Sequence, residues 1–387
     1  MREEKKMFKF PLKNPSPDFE SFRQVLKGEK KPDKVYFVEL GVDIEVMRFI
    51  TENLMGEKWV SLDYDDFFKN ANFSKMDDKA SWGQYIKQYI NFYYKMGYDY
   101  IPDGIGLHYF LSFLPKPRVA SDTASLSKGE RVWAEEGKGL ISSWEDFERF
   151  PWRAFEKMRI DLEEYYGFLN KNLPEGMKIA VVHSLYEQVM ERILGYEGLF
   201  YLIYDEPELV KAVVDRWGGI VYSFYKNVIS LEGIEIIFHA DDLGYKTGTM
   251  LNPDILRKLI FPWFKKYASL AHEHGKLYLY HCCGNVLEVM EDLIENVGID
   301  GFHSFQDVII PVTEFKRRYG DRIATLGGVD MDKLSRLDEE NLRRYVRGIL
   351  DECMPGRYAL GSGNTIANYV PVENYLVMLD EGLRWKG

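Results

Sequence analysis

The sequence predicts a single (β/α)₈ barrel, an α/β fold in which eight parallel strands alternate with helices. Three observations predict it. Short runs of β-branched and aromatic residues alternate with long helical patterns along most of the 387-residue chain. Eight such runs can be counted, which is the number that closes a barrel of this kind. Polar and glycine-rich residues follow six of them, at the strand ends where these barrels hold their active sites.

The eight predicted strands are separated by segments long enough to form helices. In order, they are Val35–Leu40, Tyr98–Pro102, Lys178–His183, Ile234–His239, Lys276–His281, Ile299–Phe305, Ile323–Gly327 and Tyr358–Leu360. Between the fifth and sixth strands, apolar residues recur at helical spacing, with Asn285 as the N-cap and Gly298 just past the end. The segments Asn252–His274 and Asn341–Cys353 show the same periodicity.

The chain is predicted to be one domain preceded by a short arm. Residues 1–30 are interpreted as a polar arm with a short helix, and residues 31–387 as the barrel. Two connections are longer than a simple strand-to-helix unit requires, namely Gly106–Ser143, after the second strand, and Glu187–Gly233. The first is interpreted as a lid or flap over the barrel mouth. No linker rich in Pro, Gly or Ser divides the chain, so one domain is preferred to two.

Composition excludes several classes of partner. The formal net charge is −11 and the pI is about 5.3, which argues against nucleic acid and anionic membrane surfaces. No apolar run is long enough for a membrane span, and the charged N-terminus lacks the apolar core of a signal peptide. Three cysteines, two of them adjacent, do not make a disulfide framework. A cytoplasmic protein with free thiols is therefore expected.

His281 and Cys283, at the end of the fifth predicted strand, form the sharpest candidate site. Residues i and i+2 of an extended strand point to the same side, so an imidazole and a thiolate there can bind one metal ion. Cys282 lies between them and is expected to face the other way. The alternative is a buried strand end with a hydrogen-bonded histidine and an inert cysteine.

Carboxylates follow the neighbouring strands. Asp241 and Asp242, in the HADDLG segment, are interpreted as a general base, a further metal ligand or a partner of a ligating histidine. They can equally be an acidic helix N-terminus. Glu187, after the third strand, is a candidate catalytic group or a helix cap. His239 is a candidate substrate ligand or a residue that merely ends its strand.

The last three strand ends carry further candidates for substrate binding. Gln306 and His303 are interpreted as substrate contacts or as internal hydrogen-bond partners. The segments GGVD, which ends at Asp330, and GSGN, which contains Ser362 and Asn364, are glycine-rich. Backbone amides of such loops bind anions in many barrels, although tight turns require the same glycines.

Five stretches taken together resemble the uroporphyrinogen decarboxylase superfamily, within it the branch of methylcobamide:coenzyme M methyltransferases. The stretches are Arg131–Trp152, His239–Lys266, His281–Gln306, Gly327–Asp330 and Gly361–Met378. The resemblance implies a (β/α)₈ barrel, in agreement with the strand count. The founding decarboxylases carry an R-Q-A-G-R-Y segment near the N-terminus, and residues 30–49 contain nothing like it. Turnover of uroporphyrinogen is therefore not expected.

The resemblance also implies zinc. The methyltransferase branch activates a thiol through zinc held by H-x-C and by a second cysteine near the end of the eighth strand. His281 and Cys283 match the first part, whereas Ser362 stands in the expected position of the second cysteine and Cys353 comes too early. A hydroxyl is a poor zinc ligand. The third ligand is therefore expected to be one of Asp241, Asp242, His239 and Glu187, if the metal is retained.

The leading hypothesis is zinc-assisted methyl transfer between a small methylated donor or thiol acceptor and a corrinoid. The corrinoid would be carried on a partner protein, because the chain contains no D-x-H-x-x-G signature. One alternative is a metal-independent decarboxylase or lyase acting on a small carboxylate through Asp241 and Asp242. Another is a non-catalytic scaffold that docks a corrinoid protein, which the serine at position 362 favours.

Overall fold

The computed structural model describes residues 8–62, 81–114, 118–122, 124–127, 130–133, 139–156 and 160–386. Its centre is a seven-stranded sheet in which every strand pairs in parallel with the next. The nine strands of the described chain are β1 Tyr100–Asp103, β2 Arg118–Ser121, β3 Glu130–Trp133, β4 Lys178–His183, β5 Ile234–Ala240, β6 Leu277–His281, β7 Gly301–His303, β8 Ala324–Leu326 and β9 Tyr358–Ala359. β2 and β3 form a separate antiparallel pair, and the sheet order is β1-β4-β5-β6-β7-β8-β9.

The first predicted strand, at residues 35–40, is present as a bridged segment and not as a paired strand. Phe37 bridges Leu360 in parallel, and the N–H of Val38 donates to the Leu360 carbonyl at 2.9 Å. On its other side the segment meets the side chain of Tyr100, whose hydroxyl accepts from the N–H of Glu39 at 3.1 Å and donates to its carbonyl at 2.7 Å. The predicted eight strands therefore correspond to seven paired strands and one segment with a single bridge, in a barrel-like α/β arrangement.

Alternate residues of the strands face the inside of the barrel. Leu277 and Leu279 of β6 belong to one buried cluster with the inner residues of β4, β5 and β8, while Tyr278 packs with the outer core. This alternation is the ordinary pleat of a strand. Continued to the end of β6, it places His281 on the inner face. On β5, where Phe238 faces inward, the same alternation places His239 on the outer face.

The N-terminal helix closes the end of the barrel at which the strands begin. Phe22, Val25 and Leu26 of helix Phe19–Lys27 lie in the inner cluster with the strand residues. The N–H of Phe19 donates to the carbonyl of Gly176, just before β4. The predicted short helix is confirmed, and it completes the core of the barrel. The domain boundary near residue 30 stays a prediction.

Helices follow the strands on the outer side of the sheet. The α-helices are α1 Phe19–Lys27, α2 Ile44–Ile50, α3 Ser81–Lys95, α4 Ile105–Phe113, α5 Trp144–Arg149, α6 Trp152–Glu156, α7 Leu162–Asn172, α8 Tyr186–Gln188, α9 Tyr196–Asp205, α10 Pro207–Val228, α11 Pro253–Ile255, α12 Phe261–Glu273, α13 Val312–Tyr319, α14 Met331–Arg336, α15 Glu339–Cys353 and α16 Val372–Arg384. π-helical turns at Thr51–Met55, Val189–Ile193 and Leu256–Ile260 extend α2, α8 and α11. A further π-helical turn spans Asp292–Val297, and a 3₁₀ turn spans Leu287–Val289.

The predicted end at Gly298 is confirmed, whereas the first turn, Leu287–Val289, has Val286 and not Asn285 at its N-cap. The Oδ1 atom of Asn285 accepts from the N–H of Leu287 at 3.2 Å, and Gly298 ends the following turn in a left-handed conformation. Part of the predicted lid, within residues 112–139, lies outside the described residues, and its role stays a prediction. No described helix combines the length and the apolar character that a membrane crossing requires.

Candidate metal centre

Two glycines bring the loops after β5 and β6 into backbone contact. A Cβ atom on Gly284 would lie 2.2 Å from the carbonyl carbon of Gly244, and one on Gly244 would lie 2.6 Å from the nitrogen of Asn285. Gly284 also has a φ of +85°, a conformation that side chains disfavour. The N–H of Asn285 donates to the carbonyl of Tyr245 at 2.7 Å. This contact holds the loop of Asp242 against the loop of Cys283.

Asp242, His281 and Cys283 converge at this junction. Their ligand atoms all lie within 4.8 Å of one another. Nε2 of His281 is 3.5 Å from Sγ of Cys283 and 3.7 Å from Oδ1 of Asp242. Tetrahedral zinc with ordinary bond lengths places such donor atoms about 3.4–3.6 Å apart. The spacing and the N, S and O donors therefore fit a zinc ion.

A hydrogen-bonded pair of histidines fixes the tautomer of His281. Nε2 of His303 lies 3.2 Å from the carbonyl oxygen of Ser362, which can only accept, so this nitrogen carries the proton. Nδ1 of His303 is then an acceptor, and Nδ1 of His281, at 2.7 Å, donates to it. Burial lowers the pKa of His281 to about 3, so the ring is neutral. Its Nε2 atom is left unprotonated, with its lone pair available to a metal.

The absence of a side chain at Gly327 leaves room for the hydrogen bond between His303 and the carbonyl of Ser362. A Cβ atom there would lie 2.3 Å from the carbonyl oxygen of Ser362 and 2.9 Å from the ring of His303, and the φ of Gly327 is +76°. The next loop residue with a polar role, Asp330, caps α14 by accepting from the N–H groups of Asp332 and Lys333. The GGVD segment runs alongside the loop after β9, where Val329 bridges Ser362 in parallel, and anion binding by it stays a prediction.

The thiol of Cys283 has two further polar neighbours. Nδ2 of Asn364 donates to its sulfur at 3.1 Å, and the hydroxyl of Ser304 lies 3.5 Å away. Burial raises the pKa of the Cys283 thiol, and the charges of Asp242 and Glu187 raise it further. An anionic sulfur in this position therefore requires a nearby cation.

The carboxyl groups around the thiol are also buried, which disfavours their ionised forms. Burial raises the pKa of Asp242, although the hydrogen bond that it accepts from the N–H of Cys283 at 2.6 Å acts to lower it. Burial raises the pKa of Glu187 well above its usual range, and the charge of Asp242 adds to the effect. A divalent cation among these groups would remove the penalty for ionising them.

Asp241 and His239 form a second hydrogen-bonded group that does not reach the metal centre. The fully buried carboxylate of Asp241 accepts from the N–H groups of Leu185, Tyr186 and Glu187, each at 2.9 Å. Nε2 of His239 lies 2.8 Å from the same carboxylate, and its Nδ1 bonds to the hydroxyl of Tyr225. Both residues make their hydrogen bonds within this group, and the roles predicted for Asp241 in catalysis and for His239 in substrate binding stay predictions.

Ser362 and Gln306 are also directed elsewhere. The hydroxyl of Ser362 donates to Glu39 at 2.5 Å, and its N–H donates to the same carboxylate at 2.7 Å. Only its backbone carbonyl serves the site, so the structure corrects the expectation that its side chain stands in the ligand position. Gln306 lines a small space behind the β6 loop with Gly284 and Ser304, outside the metal-binding group.

Sequence reasoning found the H-x-C pair and missed much of its support. Cys282 is buried with its sulfur on the N–H of Leu243, and Cys353 ends α15, both as predicted. The sequence does not decide whether His303 is a substrate contact or an internal hydrogen-bond partner, and no motif marks Ser304. The only signal for Ser304 is its place directly after β7.

Comparison with known proteins identifies the family. A family model described as uroporphyrinogen decarboxylase (URO-D) matches residues 184–384, which is 201 of the 387 residues. The chain therefore belongs to the uroporphyrinogen decarboxylase family. No curated protein sequence matches it.

A solved structure shares the fold of this chain at low sequence identity. A methyltransferase from Methanosarcina mazei is similar over 95% of this chain and 98% of its own, with a TM-score of 0.67 and 13% identity. A protein of Listeria monocytogenes assigned as a vitamin-B12-independent methionine synthase covers 91% of this chain and 95% of its own, with a TM-score of 0.47 and 14% identity. At 13% identity, the likeness to the Methanosarcina protein is one of fold.

Proposed function

We propose that this member of the uroporphyrinogen decarboxylase family is a zinc-assisted methyltransferase. It would move a methyl group between a small donor or thiol acceptor and a corrinoid carried on a partner protein. The observation that carries the proposal is the convergence of Asp242, His281 and Cys283 with the Nε2 lone pair of His281 directed at the other two. The fold shared with a methyltransferase supports it.

The donor set suits a catalytic zinc site. One nitrogen, one sulfur and one carboxylate oxygen leave a fourth position for the substrate. Bound zinc would lower the pKa of a substrate thiol or polarise a substrate oxygen. His303 would hold His281 in its ligating tautomer, and Asn364 would orient the sulfur of Cys283.

Glu187 is the carboxyl group that remains for proton transfer. Asp242 would bind the metal, and Asp241 is fully occupied by three backbone amides and His239. Glu187 lies close enough to Asp242 and Cys283 for their charges to interact. It would therefore take the proton of an incoming thiol, or return one to the heteroatom that has lost its methyl group.

The methyl group would move as a cation equivalent. The bond between the methyl carbon and the donor heteroatom breaks with its electron pair left on the heteroatom. A cobalt(I) corrinoid on the partner would supply the electron pair of the new bond to carbon. The chain would contribute positioning and electrostatic stabilisation at the zinc site.

Metal analysis of protein purified without chelators or nickel affinity tests the site. We expect about one equivalent of zinc, lost from His281→Ala and Cys283→Ala and retained by Cys282→Ala and Cys353→Ala. Cobalt(II) substitution should give a thiolate charge-transfer band that disappears in Cys283→Ala. Equal metal loss from Cys282→Ala would contradict this arrangement.

A methyl-transfer assay tests the reaction. Free cob(I)alamin is mixed with the zinc-loaded protein and a panel of small methylated compounds, and the corrinoid spectrum is followed. We expect methylation that requires His281 and Cys283. Turnover of a small carboxylate by metal-free protein would support the lyase alternative, and binding of a corrinoid protein without any turnover would support the scaffold.

A further inference from the structure

A second feature of the barrel mouth is a cavity of about 660 Å³ beside the ends of β1 and of segment 35–40. Its volume is that of a small-molecule site. The described lining residues include four carboxyl groups and no lysine or arginine. The proposed methyl transfer assigns no role to this cavity.

The first feature that points to a ligand is the carboxyl group of Asp103. This residue ends β1, lines the cavity and is 8% exposed. It accepts from the hydroxyl groups of Tyr165 at 2.7 Å and Tyr166 at 2.9 Å. Burial nevertheless raises its pKa. A cation in the cavity would stabilise the ionised form of this carboxyl group.

The second feature is an acceptor without a donor. Asn368 lines the cavity and is 7% exposed. Its Nδ2 atom donates to Asp122 at 3.0 Å, and its backbone N–H donates to Asp43 at 2.8 Å. Its Oδ1 atom is buried, and no group in the described part of the chain donates to it. Because an unsatisfied buried acceptor is costly, a ligand with an N–H or O–H group is favoured at this point.

Aromatic rings complete the wall. Tyr85 and Tyr89 stack with their ring centroids 6.2 Å apart, and Tyr165 lines the cavity near Asp103. Ring faces attract ammonium groups and their methyl substituents. Glu45 adds a half-buried carboxyl group to the same wall. Carboxyl groups, tyrosine rings and one buried acceptor without a donor among the described residues together match a protonated amine.

The cavity and the metal centre share one loop. After β9 the chain first places Asn364 on the sulfur of Cys283 and then, four residues later, places Asn368 in the cavity. Four residues span at most about 14 Å. A small molecule held at Asn368 can therefore extend toward the metal centre.

We propose that this cavity binds the protonated amino group of the small substrate. Asn368 accepts its N–H, and the carboxylates of Asp103 and Glu45 stabilise its charge. The substrate is thus a small cationic amine without a carboxylate of its own, because an anion would be repelled. The identification of this ligand as the substrate rests on the proposed function, whereas its binding does not.

Binding measured by ligand-observed NMR on the purified protein tests the inference with four probes of similar shape. These are trimethylammonium, with one N–H, tetramethylammonium, with none, neutral tert-butanol and anionic pivalate. We expect affinity to fall in that order, with a preference of about tenfold for trimethylammonium over tetramethylammonium. Binding of pivalate as tight as that of trimethylammonium would overturn the proposal.

Variants locate the binding. Glu45→Gln should weaken binding of both ammonium ions by about fivefold, whereas Glu52→Gln, an exposed residue outside the cavity, should leave it unchanged. Asn368→Ala should bring the ratio of the two ammonium affinities close to one, which loss of folded protein cannot imitate. An unchanged ratio would place the N–H elsewhere and refute the role of Asn368.

The two hypotheses fail separately. Selective ammonium binding by protein that holds no zinc would contradict the methyltransferase proposal alone. Zinc binding and methyl transfer with no preference for cationic probes would contradict the cavity proposal alone.

Discussion

The ends of β5 and β6 carry the same kind of pair and use it differently. Each strand has a histidine at or next to its last residue, His239 on β5 and His281 on β6. Another possible metal ligand follows two residues later, Asp241 and Cys283. Ala240 pairs with His281 across the sheet, so His239 is offset from His281 by one residue. An offset of one residue reverses the face of a strand.

The consequence is that one pair stabilises the fold and the other forms a candidate site. His239 and Asp241 face outward and join β5 to α10 through Tyr225 and to the start of α8. His281 and Cys283 face inward, where Asp242 meets them. The i and i+2 spacing therefore predicts that two side chains share a face, and the register between strands decides which face it is.

Replacing each of the two adjacent aspartates is the strongest test of this difference. Asp241→Ala leaves three buried amides and a histidine without their acceptor, so we expect the free energy of unfolding to fall by about 3–5 kcal/mol. Asp242→Ala should cost less than about 1 kcal/mol and should lose metal instead. Urea denaturation and metal analysis of both variants distinguish the effects. Similar stability losses in both would remove the distinction between the two strand ends.

Replacing His303, which supports the inward pair, and His239, which belongs to the outward pair, gives a smaller difference. His303→Ala frees the ring of His281, and we expect zinc affinity to fall by about 10- to 100-fold. His303→Gln keeps both an acceptor and a donor and should recover part of the loss. The matched control is His239→Ala, which should leave the affinity of the folded protein unchanged. Competition with a chromophoric chelator measures all three, and a larger loss from His239→Ala would contradict this role of His303.

Cysteine substitutions in the loop after β9 test which residue of that loop can add a ligand to the inward-facing pair His281 and Cys283. Because Asn364 contacts the sulfur of Cys283, Asn364→Cys should add a thiolate ligand and tighten zinc by about tenfold. Ser362→Cys should leave zinc affinity unchanged, since that side chain is directed at Glu39. The same chelator competition applies. Tighter zinc in Ser362→Cys alone would show that residue 362 provides the ligand.

The smallest expected effect concerns Glu39. Like Asp241, it is a buried carboxyl group that accepts a hydrogen bond from a backbone N–H. Burial raises its pKa from 4.5 to about 8, so the native state holds a proton that the unfolded chain releases above pH 4.5. The free energy of unfolding should therefore fall as pH rises toward 8, by about 1 kcal/mol per pH unit. Glu39→Gln should flatten this dependence. Denaturation at several pH values between 5.5 and 8.5 measures the slope, and an equal slope in the variant would assign it to other groups.

The strands of the seven-stranded sheet could be predicted from the sequence except where a side chain replaces a strand partner. The antiparallel pair β2 and β3 lies within the predicted lid and is not among the predicted strands. β4 to β9 lie within a residue or two of their predicted bounds because each has its own apolar run. The segment 35–40 has such a run too, yet the hydroxyl of Tyr100 takes both backbone groups of Glu39 and no ladder forms with β1. No periodicity in the sequence indicates that a side chain will take the place of a neighbouring strand.

For the site, the sequence indicates which residue types gather at the mouth and leaves their directions open. His281 and Cys283 could be paired from spacing because both belong to one strand. The choice between Ser362 and Asn364 depends on the path of the chain through Gly363, whose Cβ position is filled by the carbonyl of Phe305. Contacts of this kind arise only when the barrel is assembled, as does the cavity beside β1.

The contact between Gly244 and Gly284 has a consequence for how this site can change. The distance across the metal centre is set by two backbones touching, and no side chain intervenes. Donor atoms on either loop can therefore be exchanged, Cys for Asp or Asp for Cys, while the distance between the two loops stays the same. A single added methyl group at either glycine would widen that distance without altering any ligand. The backbone contact would thus set the size of the ion that fits, whereas the side chains on the two loops would set which metal is preferred.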